Sequence, residues 1–546
     1  MKKLILPLLG TVAIAGSGTA AYFHFFKGAG SDALSPQAIA QVIPDDAYMA
    51  AFIATDEQTW KKLEKFGNPT AQKAIRQGLE DLQKKLSSET RVNFDQDIKP
   101  WVGNIMIAGL PGAPTKPTKD AEKQPNMLIV VGIKDKVGAA NFANKLKSDS
   151  KLKSTETDYK GIKITDFADS NGSTYTAVLK DYIVIAPEQK TIEQAIDTLK
   201  GEPSLAAKPD AASLFKQSGE VQNPVLRIYM PDYATAMQQL LASNPEAAVL
   251  PPSTLEQMKR VKSIVATLGI DDNGLRLKAQ TSFDPQAKAW KFKPTSGSIV
   301  SQFPADTFAL ISGAGANQYW TQLAEQANST SEAQMTVGMM RQYTKMVGLD
   351  LDQDVFGWMD GDFALGMVPA SEGMMAQVGF GIGMVFDTSN RSTAEATFKK
   401  LDALVQQNAV KVGQRKLGGK TVTEWQVPGQ GTFLGHGWVD QDTVFVAIGQ
   451  PVVESLANKP AQTLDSSEAF KSVTGSLAKQ NNLGYFYLDM DKMMALMNQV
   501  NPASQQTMTP EAKAVIESIR GIGVTSTQVN DTSTQVEMLL SLKPAK

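Results

Sequence analysis

The chain has 546 residues, with 54 Lys+Arg against 56 Asp+Glu, a formal net charge of −2, no cysteine and two histidines. The missing cysteine excludes disulfides, thiolate nucleophiles, cysteine-ligated zinc, iron–sulfur clusters and lipidation of the bacterial lipoprotein kind. A near-neutral balance excludes a general nucleic-acid binder, which needs a basic footprint, and the length implies roughly two to four domains.

The first element is apolar. Met1-Lys2-Lys3 precedes Leu4 to Phe26, 23 residues with no formal charge apart from His24. At 1.5 Å per residue this run is about 34 Å of helix, enough for a hydrocarbon core of roughly 30 Å. Lys2 and Lys3 favour an N-in orientation, with the bulk outside the cytosol. The aromatic run Tyr22-Phe23-His24-Phe25-Phe26 favours an uncleaved anchor over residues 1–26. Gly18-Thr19-Ala20 supplies the small residues of a cleavage site, which keeps a cleaved, secreted form as the alternative. Residues 27–42, rich in Gly, Ser and Ala, read as a stalk.

Beyond the stalk the chain repeats itself. Ile43-Pro44-Asp45-Asp46-Ala47-Tyr48 resembles Phe303-Pro304-Ala305-Asp306-Thr307-Phe308, and Trp60 then matches Trp320. Asp95-Gln96-Asp97-Ile98 before Trp101 matches Asp352-Gln353-Asp354-Val355 before Trp358. Phe142 pairs with Phe398, and Asp181 to Ala186 with Asp442 to Ala447. The order is kept throughout. The expected organisation is a first repeat over 43–285, a linker over 286–302 and a second repeat over 303–546.

Periodicity predicts the elements. Tyr48 to Ala54 reads as a strand, followed by a helix carrying Trp60, Leu63 and Phe66. Ile105–Gly109 and Met127–Ile133 read as strands on either side of a Pro- and Lys-rich loop over Pro111–Pro125. A helix over Val137–Leu146, strands over Ile162–Phe167 and Thr174–Ala186, and a helix over Ile192–Leu199 complete the pattern. Paired strands without a crossover helix between them predict an α+β fold with mostly antiparallel sheets and packed helices.

Candidate chemistry is sparse. Asp350, Asp352 and Asp354 are the strongest metal candidates, because hard cations take several oxygens from a tight loop. The EF-hand register fails at Val355 and Gly361, however, and a turn held by Asp side chains before a buried Trp is the preferred reading, so no metal is expected. Trp60 and Trp320, and Trp101 and Trp358, read as core residues rather than ligand-stacking ones. Met490, Met493, Met494 and Met497 share one predicted helix, as do Met335, Met339, Met340 and Met346. They read as core filling, with an apolar binding groove, formed above all by the Met490–Met497 set, as the second reading; thioethers also suit Cu(I). Gly379, Gly381 and Gly383 would bare one strand face for close packing. His436 stands without a serine elbow, since no G-x-S-x-G occurs. No catalytic residue and no cofactor is predicted.

The ordered set resembles a known family. Ile43-Pro44-Asp45-Asp46-Ala47, Trp60 and Phe94-Asp95-Gln96-Asp97-Ile98-Lys99-Pro100-Trp101-Val102-Gly103 are similar to the cyanobacterial family catalogued as domain of unknown function 3352 (DUF3352). The resemblance implies an envelope or thylakoid setting and brings no catalytic or binding residue with it. The resulting expectation is a non-catalytic, single-pass exported protein that binds or assembles a protein or apolar partner near a membrane, with its bulk in the periplasm or thylakoid lumen. Two alternatives stand beside it: a carrier or chaperone for an apolar ligand in a cleft between the halves, and a carboxylate hydrolase using Asp352 or Asp354.

Overall fold

The computed structural model describes residues 34–74, 77, 94–112, 126–147, 153–169, 172–208, 211, 221–242, 254, 258–286, 293–327, 331–408, 410–500 and 508–545. The expected anchor over 1–26, His24 and most of the Pro111–Pro125 loop lie outside the described residues. No helix among the described residues is long and apolar enough to cross a membrane. The fold is α+β, with extensive antiparallel sheet and packed helices. Two compact units divide it. The first is drawn from Met1–Lys65, Gln72–Asp271 and Ala279–Asp284, the second from Phe66–Ala71, Asp272–Lys278 and Pro285–Lys546.

The first unit carries β1 (Met49–Ile53), β2 (Val102–Gly109), β3 (Met127–Ile133), β4 (Lys153–Tyr159), β5 (Ile162–Asp169), β6 (Gly172–Leu179), β7 (Tyr182–Ala186), β8 (Pro224–Met230) and β9 (Val261–Asp271), while β10 (Gly274–Phe283) is divided between the units. Its helices are α1 (Lys136–Lys147), α2 (Gln189–Leu199) and α3 (Tyr233–Ala242). The pairings are all antiparallel and give the order β4-β5-β6-β7-β3-β2-β1-β8-β9. Strand β3 is a continuous apolar run because it lies mid-sheet with both faces covered. On one face α2 buries Ile192, Ala195 and Ile196 into a core with Val130, Val184 and Leu128. On the other, Ala139 and Phe142 of α1 pack with Trp101, Ile129, Val131 and Ile183.

The second unit carries β11 (Ala309–Ala314), β12 (Asp362–Pro369), β13 (Phe380–Asp387), β14 (Lys411–Leu417), β15 (Lys420–Val427), β16 (Gly431–Trp438), β17 (Thr443–Ile448), β18 (Asn482–Asp489), β19 (Ile519–Asn530) and β20 (Ser533–Leu542). Their order is β14-β15-β16-β17-β13-β12-β11-β18-β19-β20, again antiparallel throughout. The helices are α4 (Ala316–Ala327), α5 (Ser331–Met346), α6 (Arg391–Gln406), α7 (Gln450–Asn458), α8 (Glu468–Thr474), α9 (Met490–Val500) and α10 (Pro510–Glu517). Val452, Val453 and Leu456 of α7 fill a core with Phe303, Leu310, Phe445 and Tyr487. Gly381 and Gly383 open β13 to this helix: a Cβ on Gly381 would fall 2.6 Å from Val452, and one on Gly383 3.0 Å from Leu456. On the opposite face Ala394 and Phe398 of α6 pack with Trp358, Phe386 and Val444.

Three expectations change. Residues 34–42 of the expected stalk contain a short helix, Pro36–Ile39, and bury Ile39, Ala40 and Val42 in the first core. Likewise Ile299 and Val300 of the expected linker are buried in the second core, because both segments carry apolar side chains just before a strand-entry turn. The helix expected around Trp60 is only Glu57–Trp60 followed by a 3₁₀ turn, and Trp60 remains 37% exposed with its indole N–H on the Ala54 carbonyl at 2.8 Å.

Candidate functional site

The predicted carboxylates are occupied by the protein itself. Asp350 accepts the backbone N–H of Asp352 (2.9 Å) and Gln353 (2.8 Å), capping a π-helical turn over Leu351–Val355. Asp352 accepts the Trp320 indole N–H at 2.7 Å and is clasped by Arg341 through Nε (2.8 Å) and Nη2 (2.9 Å). Asp354 accepts Lys400 Nζ at 2.7 Å and the Asp350 backbone N–H at 2.8 Å. Arg341 holds the Asp352 carboxyl below its ordinary range; the Asp350 N–H and then Lys400 do so for Asp354. No group of three metal-ligating side chains is present among the described residues. The turn has a structural use instead. Its Asp354 carbonyl takes the Trp358 indole N–H at 2.9 Å, as the Asp97 carbonyl takes that of Trp101 at 2.7 Å in the first unit.

Asp352→Asn is therefore expected to cost only about 1 kcal/mol, because solvent screens this half-exposed pair. A lowered folded pKa stabilises above the ordinary carboxylate range, and the benefit is lost as pH falls through the folded value. Urea midpoints of the parent and variant should accordingly stay apart at neutral pH and converge only as pH falls below about 4.

His436 is buried in β16. Its Nε2 lies 2.9 Å from Asp402 Oδ1, which also accepts the Trp425 indole N–H at 2.7 Å, and its ring stacks on Phe398 at 4.5 Å. The histidine belongs to the packing beneath α6 rather than to an open cleft.

An acidic cleft of about 580 Å³ lies elsewhere in the second unit, lined by Lys293, Asp360, Asp387, Ser389, Asp440 and Asp442. Asp387, Asp440 and Asp442, which the sequence reading did not single out as site residues, arrive from segments far apart in the chain. Asp360 accepts the Ser389 N–H at 2.9 Å, Asp440 the Thr443 N–H at 2.8 Å and Asp387 the Thr443 hydroxyl at 2.7 Å. Burial pushes the Asp387 carboxyl up, Thr443 opposes this, and Asp362, Asp440 and Asp442 reinforce it. A raised folded pKa penalises the ionised state, so the cost is full at neutral pH and relieved as pH falls through the ordinary carboxylate range. Asp387→Asn keeps the Thr443 acceptor, and is expected to raise Tm at pH 7 with a gain that vanishes towards pH 3.

Apolar surface is the more prominent feature. On α5, Met335, Met339, Met340, Tyr343 and Met346 are all exposed, reaching 74% at Met346. Sequence reasoning grouped these methionines but placed them in the core; the structure turns Val337 inwards against Trp320 and Leu351 instead. On the sheet, Ile311 is 51% exposed and lies opposite Phe486, which is 39% exposed; Met367 projects nearby across from Ala309. Helix α9 lies on β18 and β19. Met490, Met493 and Met494 are half-buried and Met497 is exposed.

A family model described as "Protein of unknown function (DUF3352)" matches residues 8–542. The chain belongs to this family. No curated protein matches it. Among solved structures, crystal form III of TP0453 is 11% identical, with 46% of this chain and 80% of that chain covered at a TM-score of 0.28. Crystal form I is 12% identical over the same shares, at a TM-score of 0.26. The DUF3352 assignment covers both units.

Proposed function

We propose that this DUF3352 protein is a non-catalytic, membrane-anchored exported protein of two homologous tandem halves, which binds a protein or apolar partner through its second unit. The carrying observation is the solvent-facing apolar surface of α5 and of the β11–β12–β18 face, where large side chains stay outside both cores. The matching strand orders, and the same Trp-to-carbonyl bond after each Asp-Gln-Asp turn, support descent by duplication. The Leu4–Phe26 run and its preceding lysines support anchoring with the bulk in the periplasm or thylakoid lumen. Asp352 and Asp354 are engaged as ionised acceptors, which leaves the hydrolase reading without a general base.

A photo-crosslinking residue in place of Phe486 in the full chain tests the proposal. A discrete protein or ligand adduct, absent when the probe replaces exposed Lys163, is expected. Equal labelling by solvent at both positions would remove the binding surface. The carrier reading is favoured by one observation, the open face around Ile311 and Phe486. It predicts that organic extraction of the purified protein yields a stoichiometric apolar molecule.

A further inference from the structure

Sulfur in this chain is thioether only, with 22 methionines and no cysteine. Six methionines are exposed among the described residues, and four of them, Met335, Met339, Met340 and Met346, lie on α5. They are 44% to 74% exposed, against 1% for Met106 in the first core. At 3.6 residues per turn, Met335, Met339 and Met346 fall within an arc of about 40°, and Met340 lies about 100° further round. The residues that attach the helix occupy the other side. Val337 packs with Trp320 and Leu351, and Arg341 clasps Asp352 through two hydrogen bonds. By the same count Val337 lies about 180° from the centre of the methionine arc, and Arg341 about 140° from it. None of the four methionines belongs to the apolar cluster around Val337. Leucine would give the same apolar face at a similar helix propensity. What methionine adds is a sulfur lone pair open to two-electron oxidants.

We propose that the exposed face of α5 is an oxidation site, where hydrogen peroxide converts Met335, Met339, Met340 and Met346 to sulfoxides while the fold stays intact. The sulfur lone pair attacks one peroxide oxygen. The O–O bond breaks as the S–O bond forms, so sulfur loses two electrons and the peroxide gains them. The second oxygen departs as hydroxide and takes up a proton from solvent to give water. A sulfoxide is polar and accepts hydrogen bonds, so four such events turn the apolar stripe into a polar one. No thiolate in the chain competes for the oxidant. The cluster beneath the helix holds no sulfur, which confines the change to the side that faces water. Methionine sulfoxide reductases undo the step, making it a reversible switch of surface polarity. The chemistry needs no partner and goes beyond the binding reading above.

The test titrates the full chain, in peroxide-free detergent, with hydrogen peroxide and reads each methionine's oxidation rate by peptide mass spectrometry. Met335, Met339 and Met346 are expected to oxidise at least about tenfold faster than buried Met106, and several-fold faster than half-buried Met490 and Met493. The urea midpoint and far-ultraviolet circular dichroism should hold when α5 is fully oxidised. Treatment with both methionine sulfoxide reductases should return the four residues to thioethers. A variant combining Met335→Leu, Met339→Leu, Met340→Leu and Met346→Leu, with its folding checked by the urea midpoint, should lose most of the fast phase of oxygen uptake seen by intact mass. Rates on α5 no faster than those of the half-buried methionines overturn the site, as does a fast phase of unchanged size in the leucine variant. Unfolding in step with α5 oxidation, or sulfoxides that resist both reductases, overturns the reversible switch.

Discussion

Glu537→Ala is expected to lower the unfolding free energy by about 3–5 kcal/mol, read as a shift of the urea midpoint. Glu537 is buried in β20 and pairs with Arg276, itself buried, in the Asp272–Lys278 segment that belongs to the second unit. Arg276 also donates to the Ser476 carbonyl at 3.3 Å and to its hydroxyl at 2.7 Å, and the second Glu537 oxygen accepts the Ala478 N–H at 3.2 Å. Lys278 stands 3.9 Å away. Removing the carboxylate takes this counter-charge from a buried guanidinium and leaves the Ala478 N–H without this acceptor. The penalty therefore comes from what remains, more than from the attraction lost. Glu537→Gln, which keeps an acceptor, should fall between the parent and the alanine variant. Arg276→Met combined with Glu537→Ala should recover part of the loss; a double variant no better than Glu537→Ala would refute the account.

Gly484→Ala is expected to cost at least about 3 kcal/mol, measured in the same way. Gly484 has φ +145°, and a Cβ there would stand 1.9 Å from the Ser312 carbonyl oxygen on β11. Backbone on both strands would have to move. The site is an irregularity in the β18–β19 pairing, stitched by Asn482: its side-chain oxygen accepts the Gly484 N–H at 2.7 Å and the Thr525 hydroxyl at 2.9 Å. By contrast, a Cβ on Gly338 in α5 would meet nothing within 4 Å. Gly338→Ala should stabilise by about 0.5–1 kcal/mol, because alanine loses less entropy in a helix.

Much of the architecture was legible where apolar patterning coincided with burial. The Met127–Ile133 strand and the Phe142 helix were read correctly, because the residues that signal the element also make the core. Strand β4 was missed: Lys-Ser-Thr-Glu-Thr-Asp-Tyr is an edge strand with polar side chains on both sides, so no alternation betrays it. Strands β6 and β7 were read as one because Lys180, not glycine, takes the positive φ of their turn. Trp60 misled because its match to Trp320 suggested an equal environment. Trp320 stacks on Phe356 at 4.6 Å, whereas Trp60 is held at the surface by a carbonyl. The acidic cleft was invisible for a topological reason, since Asp360, Asp387 and Asp440 converge only through the β12–β13–β17 pairing. The α5 methionines were visible as a stripe, but periodicity alone does not say which way a stripe faces.

In each unit the earliest sheet strand is flanked by a very late one: β1 lies between β2 and β8, and β11 between β12 and β18. A growing chain therefore cannot zip up the middle of either sheet until nearly the whole unit has been made. Until Pro224–Met230 emerges, one side of Met49–Ile53 offers bare amides and carbonyls. Such wiring raises the sequence separation of the contacts that close each sheet and so delays closure. It also means that excising Pro224–Met230 or Asn482–Asp489, late as they come, would tear out a central plank rather than trim a margin.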